Sequence, residues 1–478
     1  MRFLASRLLI GRSALHRSLG TTAANLRYDV VIIGGGPVGW STALHCAKLG
    51  VGRVAVIERD PSFASGSAVY SAGGIRQQFS VPENVQMCLF GMDFLRNAHV
   101  SLAVTDEDAP DVQLKRHGYL FLATSDAGKA VLQANNRVQR SCGADGIGLL
   151  TREEMTTTFP WLSTADLTAG SHSNDNEGYF DPWAFVSALK RKAQAMGVEL
   201  VEGSVIGARL QEHSPSTAVI EAVKVRPSAR AAAATAGVAA AATQRDFVGG
   251  TLLALAPAPF EVKGGIYVNA AGAWAGHIVQ LLAADAQRPA AIAAVPVRPR
   301  KRCLFTVHCP PSPGRVVPPP TAPLIVDPNG PYFRPEGAEG KFLMGCSPAA
   351  ADDPDCDPDD ADVLCAADHA LFDDVIWPTL AARVPAFEQL KVVSSWAGFY
   401  DYNTVDHNAI IGPHSELCNL ILCCGFSGHG LMQSPAAGRA VAELIASGSR
   451  ARFETIDLTR FGFDRILGNT PVFESNII

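Results

Sequence analysis

Residues Tyr28 to Glu58 read YDVVIIGGGPVGWSTALHCAKLGVGRVAVIE. An apolar run, Val30 to Ile33, enters a glycine turn at Gly34, Gly35 and Gly36. Pro37 and Val38 lead to Gly39 and a helix-like segment that reaches Gly50. A second apolar run, Val54 to Ile57, ends in Glu58. The order is strand, turn, helix, strand, with G-x-G-x-x-G at Gly34, Gly36 and Gly39. Gly34 permits a tight turn, Gly36 lets a pyrophosphate approach the backbone, and Gly39 lets helix and strand pack closely. The helix N-terminus offers unpaired N–H groups and partial positive charge to phosphates. Glu58, 19 residues after Gly39, stands where a carboxylate accepts hydrogen bonds from a ribose. This element predicts dinucleotide binding and does not separate FAD from NAD.

A second strand, glycine turn and helix lies near the other end of the chain. Leu420 to Cys424 reads as a strand, Gly425-Phe426-Ser427-Gly428-His429-Gly430 as the turn, and Leu431 and Met432 open a helix with Val441, Leu444 and Ile445 on one face. An NAD-only protein has no need of it. A flavin does, because its ring lies far from the adenine end, and a helix N-terminus near the ring stabilises the negative charge of the reduced form. The expected cofactor is therefore FAD. An NAD dehydrogenase would require the second block to be accidental.

The 478 residues suggest two or three domains' worth of core, and 47% hydrophobic with 18% charged residues describes a globular protein. A net charge of −6 without a basic stripe argues against nucleic acid. Eleven cysteines, an odd number with no C-x-x-C, argue for a reducing compartment and against a disulfide framework or structural zinc. No apolar run approaches the ~18 residues of a membrane span; association with a membrane surface stays open. Residues 1–27 carry Arg2, Arg7, Arg12, Arg17 and Arg27 and no acid, with Leu4, Leu8, Leu15 and Leu19 on one helical arc. That is a transit-peptide pattern, and the expected location is the mitochondrial matrix.

Between the two glycine blocks, Arg59 to Ser80 is a loop of small residues, among them Ser67, Gly73 and Gly74, with Arg76 just beyond. Ser80 and Glu83 read as a capping box for a helix through about Asn97. His117 to Ala123 and Val198 to Val205 read as strands, and Pro182 to Met196 as a helix. Ile266 to Asn269 is a strand that ends in small residues, Ala271 and Gly272 among them, and Trp274. Arg298, Arg300, Lys301 and Arg302 read as a solvated strand edge or as a face for an acidic partner, the former being commoner. The acidic segment Asp352 to Asp362 lacks the glycine and glutamate of a calcium loop and reads as solvated, so no metal is expected. Leu364, Leu371 and Val375 are at helical spacing. Ser228 to Thr243 is nearly all alanine and receives no role.

GGGPVG, IERD, SAGGIRQQFS, NAAGAWAG and GFSGHG resemble the superfamily of D-amino-acid oxidase, sarcosine oxidase and dimethylglycine dehydrogenase. SAGGIRQQFSVPEN, GYFDPW, WAGFYDYNTVDHN and the C-terminal SNII resemble, within it, a mitochondrial subgroup tied to assembly of respiratory complex I. The resemblance implies an α/β fold: a Rossmann-like FAD-binding domain (28–75, 150–295 and 403–478) with an inserted antiparallel-sheet substrate domain (76–149 and 296–402). It implies that Gly34, Gly36, Gly39, Glu58 and Arg59 take the ADP half, that the Val205 backbone meets adenine, and that Ala271 and Gly272 line the pyrophosphate path. Gly428 to Met432 would edge the flavin. Arg76 would hold a substrate carboxylate, Tyr400 and Tyr402 would wall the pocket, and His429 would tune the flavin. Tyr70 and Phe399 replace the histidine and cysteine that bind flavin covalently in relatives, so FAD is expected to be non-covalent. Leu343 replaces an oxygen-activating lysine, which favours a dehydrogenase over an oxidase. The implied substrate is a secondary amine or N-methyl amino acid. The implied partners are complex I subunits or other assembly factors, with a structural, non-catalytic flavin as the competing reading.

Overall fold

The computed structural model describes residues 26–105, 108–228, 258–284, 286, 292–357, 360–364, 367–448 and 453–476. Residues 1–25 of the Arg-rich stretch read above as a transit peptide, the alanine-rich stretch after Ser228, parts of the acidic segment and the last two residues of SNII lie outside these.

The strand Arg27–Ile33 is central to a seven-stranded sheet. It pairs in parallel with Val54–Glu58 on one side and Phe260–Asn269 on the other. Glu199–Ser214 extends the parallel order beyond Val54–Glu58, and Leu420–Cys424 extends it beyond Phe260–Asn269. Ile410–Pro413 closes one edge antiparallel, and Thr217–Pro227 runs antiparallel to both Glu199–Ser214 and Phe260–Asn269. Alternation explains why these strands are unbroken apolar runs. Val30, Ile32, Val54 and Val56 face the helices Pro37–Lys48, Pro82–Arg96, Pro182–Ala195 and Gly430–Ser447. Val31, Ile33, Ala55 and Ile57 face the helix Ala275–Ala283 and the inner residues of Thr217–Pro227. A sheet buried on both faces reads as near-continuous apolar runs.

The second sheet has eight strands, in the order Lys391–Asn403, Val297–His308, Lys341–Gly345, Tyr332–Pro335, Leu324–Val326, Tyr119–Ala123, Ala169–Ser173, Ile147–Leu150. All its pairings are antiparallel except Leu324–Val326 with Tyr119–Ala123. The α/β architecture is the expected one, but two boundaries move. Ala169–Ser173 pairs on both sides within the second sheet, so the expected start of the returning FAD segment at residue 150 is too early. The helix Pro82–Arg96, expected with the substrate domain, packs in the first core with Gly430–Ser447. A Cβ on Gly91 would lie 2.4 Å from the Met432 carbonyl.

The expected capping box is absent. The residue before the helix is Val81, with Pro82 in the first turn. Ser80 instead binds the Glu474 carboxylate, and Glu83 pairs with Arg460. The helix expected around Leu371 and Val375 runs from His369 to Arg383 through one wide turn, Phe372–Ile376; Leu364 precedes it in a separate short turn. The basic cluster is no open edge. Its residues pair with Lys391–Asn403 on one side and meet the acidic segment on the other through an Arg300–Asp355 bridge, and Arg302 forms a bidentate pair with Asp353 at 2.7 and 2.9 Å. The acidic segment thus closes over the basic one, and part of it is a buried counter-charge. Among the described residues no helix is long and apolar enough to cross a membrane, and no group of acidic, histidine or cysteine side chains could hold a metal ion.

His45 is buried on Pro37–Lys48, with its ring 6.4 and 6.1 Å from Phe90 and Phe94. Neither ring nitrogen has a hydrogen-bond partner, and burial pushes its pKa down to about 3. The folded chain refuses a proton that the unfolded chain takes up near pH 6.5. Stability is therefore lost as pH falls from about 6.5 toward 3, by up to ~1.4 kcal/mol per pH unit. His45→Leu is expected to stabilise the fold by ~1 kcal/mol at pH 7, and by more at pH 5. Urea unfolding at the two pH values measures this; an equal gain at both would contradict it.

Candidate functional site

A cavity of about 620 Å³ runs from the turn after Arg27–Ile33 to the turn after Leu420–Cys424. At its first end Gly34 has φ +105°, and a Cβ there would lie 2.4 Å from the Ala270 carbonyl oxygen. A Cβ on Gly39 would lie 1.9 Å from the Gly34 carbonyl oxygen, so its absence seats the helix on the turn. A Cβ on Gly36 would meet no atom within 4 Å; Gly36 faces the cavity together with Pro37 and Val38. Gly36 precedes the helix without a side-chain cap, and the first turn holds no acid. The N–H groups are left to an anionic ligand.

Glu58 is half-buried and accepts the N–H of Gly35 at 2.6 Å and of Asp60 at 2.7 Å, one on each oxygen. Burial raises its pKa, and each oxygen keeps a lone pair for a ribose hydroxyl. The Arg59 guanidinium stacks on Trp274 at 4.0 Å, and both line the cavity with Ser67, Ala271 and Gly272. Val205 lines the same end at a bulge in its strand pairing.

At the second end Phe426, Gly428, Gly430 and Leu431 line the wall, with Phe399, Tyr400 and Asp401 opposite. The helix Gly430–Ser447 follows His429 without a side-chain cap, so a second set of N–H groups points at the cavity. Gly428 has φ +93°, and a Cβ there would fall 2.4 Å from the Tyr400 ring. Asp401 was not singled out from the sequence. Its carboxylate accepts the Phe426 N–H at 3.0 Å, its carbonyl accepts the Ser427 N–H at 3.1 Å, and burial pushes its pKa up to about 6. A lone acid inside an aromatic strand was the available signal.

Several predicted residues act one layer back. Gly73 and Gly74 do not line the cavity. They let the loop lie against the Phe180 carbonyl and the Tyr119 hydroxyl, which their Cβ atoms would meet at 2.2 and 2.0 Å. Gly425 turns the chain beside Val297, Ser427 accepts the Asn403 N–H through its hydroxyl, and Met432 packs against Gly91. Tyr402 binds His407 Nε2 at 2.7 Å, under the Arg300 guanidinium at 4.9 Å, and does not wall the cavity.

Arg76 is fully buried just behind the second end. It donates to the Gln78 carbonyl, to His429 Nε2 at 3.1 Å and to the Asn476 carbonyl. Its face lies 3.9 Å from the Phe79 ring centre. A guanidinium only donates, so His429 is neutral with its proton on Nδ1; burial and then the Arg76 charge hold its pKa well below the usual value. Arg76 Nε is buried and has no partner. Its loop is pinned by Glu177, also missed in the sequence, which accepts from the Gln78 N–H at 3.0 Å and Gln78 Nε2 at 2.8 Å. The charge of Arg76 reaches Tyr400 and Tyr119.

Residues 29–444 match the family model described as FAD dependent oxidoreductase. The chain belongs to that family. FAD-dependent oxidoreductase domain-containing protein 1 of Xenopus laevis is 40% identical over 461 residues, 95% of this chain and 85% of that protein. The protein of the same name from Bos taurus is 42% identical, over 92% of this chain and 85% of its own length. Mitochondrial sarcosine dehydrogenase of Mus musculus is 24% identical over 91% of this chain and 41% of that one. Among solved structures, L-proline dehydrogenase from P. horikoshii superposes with a TM-score of 0.71 at 25% identity, covering 93% of this chain and 99% of that one. This FAD-dependent oxidoreductase therefore takes FAD, and the bare Gly36 cradle and both uncapped helix ends fit it.

Gly36 has extended backbone angles open to any residue, so Gly36→Val should fold normally and fill the cradle. Its apoprotein should melt within ~0.5 kcal/mol of the parent, while FAD affinity drops roughly 100-fold, ~2.7 kcal/mol. Calorimetry and FAD titration separate the two effects; normal FAD affinity would contradict the assignment.

Proposed function

We propose that this chain oxidises a secondary amine or N-methyl amino acid, with FAD held non-covalently and Arg76 as the anchor for the substrate's carboxylate. The carrying observation is Arg76 itself. It is fully buried beside the flavin end, its partners are neutral, and one of its N–H groups has no partner. Leaving a buried cation without a counter-ion costs several kcal/mol, and a planar carboxylate matches the guanidinium edge. The names of sarcosine dehydrogenase and L-proline dehydrogenase support an amino acid as substrate.

FAD, when bound, supplies the two-electron acceptor for a hydride. The chain's residues bind, orient and exclude water. Asp401 holds the glycine turn through the Phe426 N–H, and the helix end at Gly430 places partial positive charge at that wall. Tyr400 covers Gly428 and narrows the pocket. His429, neutral and bonded to Arg76, fixes the direction of the guanidinium. Phe399 has no nucleophilic atom, the Tyr70 hydroxyl is spent on the Ala64 carbonyl, and burial raises the Cys423 thiol out of its reactive range. Leu343, buried in one cluster with Tyr119 and Tyr332, is itself uncharged and supplies no ammonium to assist oxygen, which favours a dehydrogenase.

FAD-loaded Arg76→Gln should retain its flavin and lose anaerobic reduction by a panel of N-methyl and D-amino acids. The expected loss is roughly 100-fold, ~3 kcal/mol of substrate binding. Stopped-flow bleaching of the visible flavin band reads it, and unchanged reduction would remove Arg76 from the reaction. We propose in addition that the protein acts in the mitochondrial matrix, against the inner-membrane surface, where it binds complex I subunits or assembly factors. The support is the subgroup resemblance in SAGGIRQQFSVPEN and WAGFYDYNTVDHN. Gly36→Val, which loses FAD, tests whether flavin is needed for that role at all: restoration of complex I in cells lacking the protein would show flavin dispensable, and failure of rescue by a stably expressed variant would show that bound FAD is needed.

A further inference from the structure

The chain's own C-terminal segment covers Arg76. Val472 is tied at both backbone atoms, its N–H to Asp406 at 3.0 Å and its carbonyl to the Asn408 amide. Glu474 is the firm point of attachment. Its carboxylate accepts five donors: the Ser80 N–H and hydroxyl at 2.8 and 2.6 Å, the Val81 N–H at 3.1 Å, Asn84 Nδ2 at 3.0 Å and the Asn476 N–H at 2.9 Å. Its negative charge thereby stands at the N-terminal end of the helix Pro82–Arg96, where the helix dipole favours it. The next contacts are slighter. The Ser475 N–H bonds the Ser80 hydroxyl at 2.9 Å, and Asn476 Nδ2 bonds the Gln78 carbonyl at 3.2 Å. The Asn476 carbonyl then accepts from Arg76 Nη2.

Two features make that last contact different from ordinary tail packing. Arg76 Nη2 is bonded to Asn476 and to His429, while Nε, on the same edge of the guanidinium, is buried with no partner. A single carbonyl therefore sits where a two-oxygen acceptor would satisfy Nε and Nη2 together. The carboxylates of Glu474 and Glu177 act on Arg76 only through space and spend their own bonds on other backbone and side-chain donors.

We propose that residues 471–476 are a strap over the substrate side of the site, latched at Glu474. A substrate carboxylate enters by displacing the Asn476 carbonyl from Arg76. This rests on the reading of Arg76 as the carboxylate anchor. Apparent affinity is then lowered by the fraction of time the strap is closed, and Asn476 becomes a residue on which substrate choice depends.

The test uses the FAD-loaded full chain and methoxyacetate, a carboxylate shaped like an N-methyl amino acid but with no oxidisable amine. Binding is read from the visible flavin band. A chain ending at Glu474 keeps the latch and loses Asn476; it should bind methoxyacetate about 10-fold more tightly, and Arg76→Gln in that shortened chain should abolish binding. In the full chain, hydrogen exchange at the Ser475 and Asn476 amides should accelerate on saturation with methoxyacetate. That measurement decides the matter should the shortened chain not fold. Equal or weaker binding by a folded shortened chain, or exchange that saturation leaves unchanged, would overturn the strap while leaving the carboxylate site intact. Absence of binding to every form, or binding that survives Arg76→Gln, would overturn the carboxylate reading and the strap with it.

Discussion

A missing side chain at Gly438 sets the geometry of this molecule. Gly438 lies in Gly430–Ser447, and a Cβ there would meet Ser41 Oγ at 2.4 Å and the Thr42 nitrogen at 2.5 Å. The two helices, far apart in the sequence, therefore cross almost backbone to backbone. Each is fixed at its start to a strand of one sheet, Arg27–Ile33 and Leu420–Cys424, with Phe260–Asn269 between them. Strand order and helix contact together aim two uncapped N-termini into one cavity. A bulky residue in the contact would part the helices, and the two ends would no longer serve a single ligand. Close packing of this kind tolerates little volume change.

Buried arginines divide into two kinds. Among the described residues, Arg465 is held by Asp406 at 2.7 and 3.0 Å, Arg383 by Asp327 and Asp166, and Arg334 by Glu336, with its Nε on the Ala72 carbonyl. Each has a carboxylate in contact, and each joins segments distant in sequence. Such pairs break even at best against apolar packing, whereas removing one partner costs roughly 3–5 kcal/mol. Arg76 belongs to neither the paired kind nor the surface. Its acceptors are two carbonyls and an imidazole, with aromatic rings on its faces. A molecule that neutralises three buried arginines directly and leaves the fourth to neutral groups beside its cofactor wall has kept a place for an anion.

Much of the fold was legible because its signals are local. Apolar runs, glycine turns and the acid ending Val54–Glu58 lie within one strand–turn–helix unit, and the same holds at Gly425 to Gly430. What the sequence concealed depends on partners far along the chain. Ser80 and Glu83 carry the pattern of a capping box, yet Glu474 engages Ser80 and Arg460 engages Glu83, so neither is left to cap the helix. Arg300 and Arg302 look like an exposed edge until Asp353 folds over them. Ala169–Ser173, short and polar, has no periodicity that assigns it to either sheet. Asp401 and Glu177 act on backbone N–H groups, and such roles leave no spacing to read. In the site, residues that touch the cavity through backbone were legible. Gly73, Gly74, Gly425 and Met432 were legible as important but not as supporting neighbours.

The strap and the buried arginine bear on substrate choice through one comparison. A hydrogen bond from a guanidinium to a carboxylate is about twice as strong as one to a neutral carbonyl, and two oxygens can engage Nε and Nη2 where one carbonyl engages only Nη2. Exchange of the Asn476 carbonyl for a carboxylate is therefore favourable in bond strength and adds a bond to the orphaned Nε. Exchange for an uncharged ligand has no such gain and still exposes Asn476 and Ser475. A simple amine meets the same closed strap as an amino acid and has nothing with which to open it. The discrimination thus resides less in the shape of the pocket than in what must leave Arg76 before anything else can bind there.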